Sequence, residues 1–167
     1  MLNCKILGKN YKGGDFDIYK KKRDSLAGCP QHITGVFNCG ENNLTSLVGG
    51  PQRVDGDYGC SANQLTDLVG CASHISGKLF FSNNDITSLV GIHKIIKSCR
   101  ETFFNVHEIK EGGIGLLLIK DLTTISSNWS LIEPFEIIEK YLGTGTKGMM
   151  ECRSELISRG YDEYAKL

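Results

Sequence analysis

From residue 14 to about residue 98 the apolar positions recur on a spacing too long for the face of any single helix or strand. Shifting the chain by 21 residues against itself brings Leu26, Leu47, Leu68 and Leu89 into one column and Gly28, Gly49, Gly70 and Gly91 into another. Ile33, Val54, Ile75 and Ile96 align, as do Phe37, Tyr58 and Leu79, then Cys39, Cys60 and Phe81. Asn42, Asn63, Asn84 and Asn105 fall in register, with Leu44, Leu65 and Ile86 two residues on from the first three. Self-similarity at such a period marks small units that bury their apolar faces by stacking on one another.

Within one unit, as in Phe37-x-Cys39-x-x-Asn42-x-Leu44-x-x-Leu47, the first two apolar positions lie two apart and share the inner face of a short strand. The chain then turns. A buried turn strands backbone N–H and C=O groups, and an inward Asn carries both the donors and the acceptor that satisfy them. Asn42, Asn63 and Asn84 are therefore read as structural. The return side holds Leu26-x-Gly28-x-Pro30 and Leu47-x-Gly49-x-Pro51, where glycine permits left-handed backbone and proline fixes an extended one. This predicts extended or turn-like return segments without helix.

Residues 14–26, with Gly14, Phe16, Ile18 and Leu26, fit a degenerate first unit in which Lys21 stands where the Asn belongs. At the other end Arg100, Thr102 and His107 occupy columns that should be apolar, so the regular array is expected to fade between about 99 and 112. The run Ile114-Gly115-Leu116-Leu117-Leu118-Ile119, followed by Leu122 and Ile125, predicts a last strand that covers the open end of the stack. Phe135, Ile138 and Leu142 share one helical face, Met149, Cys152 and Leu156 another, and Gly160 suits the end of the second helix. The expected organisation is a repeat array over residues 1–112 and a capping strand with a helical segment over 113–167, an α+β fold.

The unit apolar-x-apolar-x-x-Asn-x-apolar-x-x-Leu resembles the leucine-rich-repeat consensus. The resemblance implies a short solenoid of 21-residue repeats with a parallel strand ladder, no convex helices and a small helical C-terminal cap. Combined with the closing segment Met150-Glu151-Cys152-Arg153-Ser154-Glu155-Leu156-Ile157-Ser158-Arg159-Gly160, these short Gly- and Pro-containing units resemble the small leucine-rich-repeat proteins of tailed bacteriophages. That second resemblance implies an accessory protein at work in the infected bacterial cytoplasm, binding and modulating a host or host-defence protein.

The 19 Lys and Arg balance the 19 Asp and Glu, so no global field draws phosphate backbones or anionic lipid; neither nucleic acid nor membrane is an expected partner. No stretch approaches the roughly 20 apolar residues of a membrane span, and the opening Met1-Leu2-Asn3-Cys4-Lys5-Ile6-Leu7 lacks the apolar run of a secretion signal, which predicts a cytosolic protein. The seven cysteines include no Cys-x-x-Cys pair and read as reduced thiols, with Cys39 and Cys60 as core filler. His32 and His74 share a column two units apart, roughly 10 Å, too far for one metal ion. Gly143-Thr144-Gly145-Thr146-Lys147-Gly148 lacks the Gly-Lys-Ser/Thr ending of a phosphate loop. No Ser, His and Asp grouping stands out, so no catalytic, cofactor or metal residue is assigned.

With Phe37 and Cys39 inward, strand alternation sends Val36, Asn38 and Gly40 outward, then Asp57, Gly59 and Ser61, then Lys78, Phe80 and Ser82. An outward Phe80 between Gly59 and Glu101 has no core to fill, whereas interface anchors are often aromatic. The expected partner-binding surface runs across Asp17, Asn38, Asp57, Lys78, Phe80, Glu101 and Phe103. Of Phe103 and Phe104, at least one extends this patch or both pack under the cap. The function expected is a non-catalytic protein–protein interaction module whose partner is a bacterial host protein. Two alternatives stay open: an enzyme or effector activity in the C-terminal segment with the repeats as targeting arm, or a phage structural component. Trp129, Phe135 and Tyr141 fit either a cap over the array or a bridge between two copies, so the oligomeric state is open as well.

Overall fold

The computed structural model describes residues 11–167; the opening heptapeptide lies outside the described residues. Its basis is the 21-residue step. Strands β1 (Phe16–Asp17), β3 (Phe37–Asn38), β5 (Tyr58–Gly59) and β7 (Lys78–Phe80) pair in parallel, with Phe16 opposite Phe37, Phe37 opposite Tyr58 and Tyr58 opposite Leu79. The return side of the same units supplies β2 (His32–Ile33), β4 (Arg53–Val54) and β6 (His74–Ile75), a second parallel sheet of three strands. The fold is α+β, two parallel sheets facing one core, and the arrangement is compatible with a short solenoid.

The columns found in the sequence are the core. Leu26, Leu47, Leu65, Ile33, Val54, Phe37, Tyr58, Leu79, Cys39 and Cys60 are completely buried. After each strand the chain reverses at a residue in left-handed backbone, Lys20, Glu41, Ala62 and Asn83, with φ of 50 to 55°. The Asn one position further on satisfies that turn. Asn63 Oδ1 accepts from Leu44 N–H at 3.0 Å, while its Nδ2 donates to the carbonyls of Cys39 at 3.1 Å and Cys60 at 3.0 Å. Asn42 and Asn84 make the same set one unit before and after. Each amide thus ties its own turn to the preceding one, the role read for it in the sequence.

Beyond β7 the step lengthens to 23. Lys78 pairs with Glu101, Leu79 with Thr102 and Phe80 with Phe103 in β8 (Glu101–Phe103), and these pair in turn with Thr124, Ile125 and Ser126 in β9 (Thr124–Ser126). The sheet therefore does not fade between 99 and 112; it continues through six strands, β1-β3-β5-β7-β8-β9. Inward positions are Thr102, fully buried, and Phe104, whose ring stacks on Phe81 at 4.7 Å. Asn105, which the 21-residue column had placed among the structural amides, lies two residues out of phase. Its Nδ2 donates to the side chains of Asn83 and Glu108 instead.

Two further expectations fail for related reasons. The return side is not free of helix: α1 (Ile92–Ile95) forms in the fourth unit, and a 3-10 turn, Ile114–Leu118, in the fifth. The proline of the first two units, Pro30 and Pro51, is Ala72 in the third and His93 in the fourth, so nothing there blocks helical hydrogen bonding. The run 114–119 is not a strand, because the strand position 23 residues after β8 is Thr124–Ser126; the run falls on the return side, where Ile114 and Leu116 are completely buried.

The open end of the sheet is closed by α2 (Glu133–Lys140) and α3 (Gly145–Ser158). Phe135 of α2 is completely buried, edge-on to Phe104 at 5.4 Å and to Tyr164 at 5.7 Å. Ile125 N–H donates to Glu139 Oε1 at 3.2 Å, a side chain standing in for the strand that would come next. The 143–148 segment is mostly the first turn of α3, with Gly148 buried in it. Among the described residues no helix is long and apolar enough to cross a membrane.

Candidate strand-face site

The outer face of the six-stranded sheet presents one side chain per unit in each of several rows. The row centred on β5 runs Asp17, Asn38, Gly59, Phe80, Phe103 and Ser126, fixed by the cross-strand register. The structure thus brings Asp17, Asn38, Phe80 and Phe103 into one line. Phe80 is followed by Phe103, not by Glu101 as the 21-residue step had implied, and their ring centroids are 5.7 Å apart. Both residues are half-buried. Phe103 extends the patch; Phe104 goes under the cap.

A neighbouring row holds Asp57, Lys78 and Glu101. Asp57 Oδ1 accepts the Lys78 backbone N–H at 2.8 Å, and Lys78 Nζ lies 2.7 Å from Glu101 Oε2. The Lys78 ammonium, followed by the Ser126 hydroxyl at 2.7 Å, holds the Glu101 carboxyl below the usual range for a glutamate. A rim pair of this exposure contributes little to stability, on the order of 0–1 kcal/mol, and its effect is to fix where the charges stand. Asp15 and Asp17 are spent on backbone in the same way as Asp57, accepting from Val36 and Tyr19 N–H.

Over the first of these rows lies an open hollow of about 420 Å³, lined by Asn38, Gly59 and Phe80 together with Tyr19, Val36 and Gly40. Its lining carboxylates are Glu41 and Asp57, and no lysine or arginine lines it. Glu41 is occupied by the Tyr19 hydroxyl and by Lys20 Nζ at 3.0 Å, which together lower its pKa, the Tyr19 contact first. Tyr19 belongs to the same outward alternation as Asp17 and the sequence row could have been extended to it. Trp129, which the sequence fits either to a cap over the array or to a bridge between two copies, does not pack in the cap and is 70% exposed. It follows Asn128, whose Nδ2 reaches Asn105 Oδ1 at 3.4 Å at the C-terminal end of this face. Two residues of the outward alternation are buried, Gly40 and Ser82, and Ser82 Oγ has no hydrogen-bond partner among the described residues.

Other surfaces offer less. Val48, Val69 and Val90 form an exposed row at the corner where each unit's Leu-Val-Gly turns back, without an aromatic or charged neighbour in the row. The return-side row His32, Arg53 and His74 is exposed, and Asp55 bridges the first two at 2.8 Å each. His32 and His74 are separated by a whole strand. Among the described residues no group of three or more His, Cys, Asp or Glu is placed to hold a metal ion. The six described cysteines are all free and buried. Comparison with protein-family models, curated proteins and solved structures finds no match to this chain.

Proposed function

We propose that the stacked units are a leucine-rich-repeat solenoid and that the protein is a non-catalytic binding module which holds a protein partner on its outer strand face. The observation that carries this reading is the Phe80–Phe103 pair, two adjacent aromatic rings on the outer sheet face that the described residues leave partly exposed. Aromatic side chains that become buried on association supply much of an interface's affinity, and a ladder of short strands positions them without an ordering cost. The resemblance to the small repeat proteins of tailed phages gives the setting: an accessory protein in the host cytoplasm, whose partner is a bacterial protein of the host or its defences.

The test compares two surfaces of the full chain in binding to the partner recovered from infected or expressing cells. Phe80→Ala combined with Lys78→Glu is expected to leave the melting temperature nearly unchanged and to weaken binding by about 30-fold, the ~2 kcal/mol of a hot spot. Met150→Glu with Ile157→Glu, on the exposed side of α3, is expected to have no effect. The reverse pattern moves the function to the tail. Deleting the tail is not a usable control, because it would uncover Phe104 by removing Phe135.

A further inference from the structure

We infer that the hollow over Gly59 is the seat for an arginine-bearing, basic extended segment of the partner, which deepens the strand-face reading above and rests on it. The starting point is a glycine that the fold does not require. At Gly56 and Gly77 an added Cβ would sit 2.7 Å from Gly35 O and 2.1 Å from Asp57 Oδ1, so those positions are glycine because units approach too closely for anything else. Gly59 is different. Its φ is not positive, and an added Cβ would meet nothing nearer than Asn38 Oδ1 at 3.3 Å, a side-chain oxygen that accepts the Gly40 N–H at 3.1 Å and would have to give by only a few tenths of an ångström. Glycine in a strand costs about 0.5–1 kcal/mol relative to alanine, and where no turn or bulge calls for it, it leaves room for something to come close.

What would come close is set by the walls. Phe80, next to Gly59 in the row, lines the hollow with its ring, and Asp57 lies two residues before Gly59, just ahead of β5 on the same face. Among the described residues no cation lies within ion-pair distance of Asp15, Asp17 or Asp57; Lys20 is paired with Glu41 and Lys78 with Glu101, and Lys78 reaches the Asp57 charge only at longer range. Each of these aspartates spends one oxygen on a backbone N–H and keeps the other, and a carboxylate has lone pairs for several donors. The chain as a whole has no net charge, so the excess of carboxylate here is local to this face. An arginine stem lying over the bare Gly59 backbone would place its guanidinium against the Phe80 ring with Asp57 as counter-charge, a combination of stacking and forked hydrogen bonding that lysine matches poorly and an acidic or purely apolar segment cannot make. The hollow's size suits one or two side chains of an extended segment rather than a folded surface.

The probe is a fluorescein-labelled (Gly-Arg)4 amide, with (Gly-Glu)4 as its counterpart, titrated by anisotropy against the full chain. The expected result is saturable one-to-one binding of the arginine peptide, weakened at least tenfold by Gly59→Leu, which fills the hollow, and by Asp57→Asn, which keeps the acceptor for Lys78 N–H but removes the charge. Glu151→Gln, on the far helix, leaves it unchanged, and the glutamate peptide does not bind. Equal binding to all variants shows a diffuse charge effect and overturns the assignment, as does absence of saturable binding. Concentration-dependent self-association abolished by Gly59→Leu also overturns it, since the occupant is then a second copy. If the recovered partner needs Phe80 but the arginine peptide neither binds nor competes with it, the basic segment is wrong and the strand-face reading stands; if the partner is also indifferent to Phe80, both fall.

Discussion

Replacing Asn63 by alanine isolates the device that joins one unit to the next. The side chain makes four hydrogen bonds, accepting from Leu44 N–H and donating to the carbonyls of Cys39, Cys60 and Ser61. The carbonyls keep other partners after its loss: Asn42 Nδ2 at 2.9 Å for Cys39, Asn84 Nδ2 at 3.1 Å for Cys60 and Glu41 N–H at 3.0 Å for Ser61. Leu44 N–H does not, and Leu44 is completely buried. The expected loss is therefore one stranded donor, about 1–3 kcal/mol, plus about 1 kcal/mol for the other bonds, together about 3 kcal/mol. For a chain of this length that is a fall in melting temperature of about 6–12 °C by circular dichroism. Asn105→Ala is the matched control. Its partners Asn83, Glu108 and Asn128 are side chains with access to water, so its loss should cost about 0.5 kcal/mol or less. Equal losses for the two variants, or a larger one for Asn105, would refute both the hydrogen-bond argument and the 23-residue register that separates them.

Burial pushes the Cys39, Cys60 and Cys71 thiols well above their ordinary pKa, and pushes Cys99 up to about 12, so none of these supplies thiolate at neutral pH. A soluble aromatic disulfide reagent should label them only as fast as the chain unfolds; rapid reaction of Cys39 and Cys60 in the native protein would place them outside the core. Because Glu101 is held below its ordinary 4.5 by Lys78 and then Ser126, it contributes stability that is fully present above about pH 4.5 and is lost as pH falls through the lower folded value. Glu101→Gln should accordingly flatten the decline of the urea midpoint on acidification, and an unchanged decline would show that this pair does not contribute.

How far the fold could be read from the sequence follows from what sets its period. Where strand, Asn turn and Gly/Pro return are all the same length, apolar columns and strand register coincide, and the inward identity of Phe37, Tyr58, Leu79, Cys39 and Cys60 was legible residue by residue. That agreement ends where the fourth unit replaces proline with α1 and the step grows by two. A fixed-period comparison then prefers the conspicuous letter, Asn105, to the correct one, because two inserted residues leave no mark in composition. Side-chain volume decides the register instead: with the 23-residue step Phe104 stacks on Phe81 and Phe103 lies tilted against Phe80, whereas the 21-residue step would bury Arg100 in place of Thr102 beneath the sheet. A charged side chain left without a partner in that interior would cost several kcal/mol, more than the extra length of the return side costs. The same shift explains why the site was only half visible. Alternation puts its members on the outer face, but the adjacency of the two outer rings appears only once β8 is set two residues further along, whereas the hollow over Gly59 lies among β1, β3, β5 and β7, before the step changes.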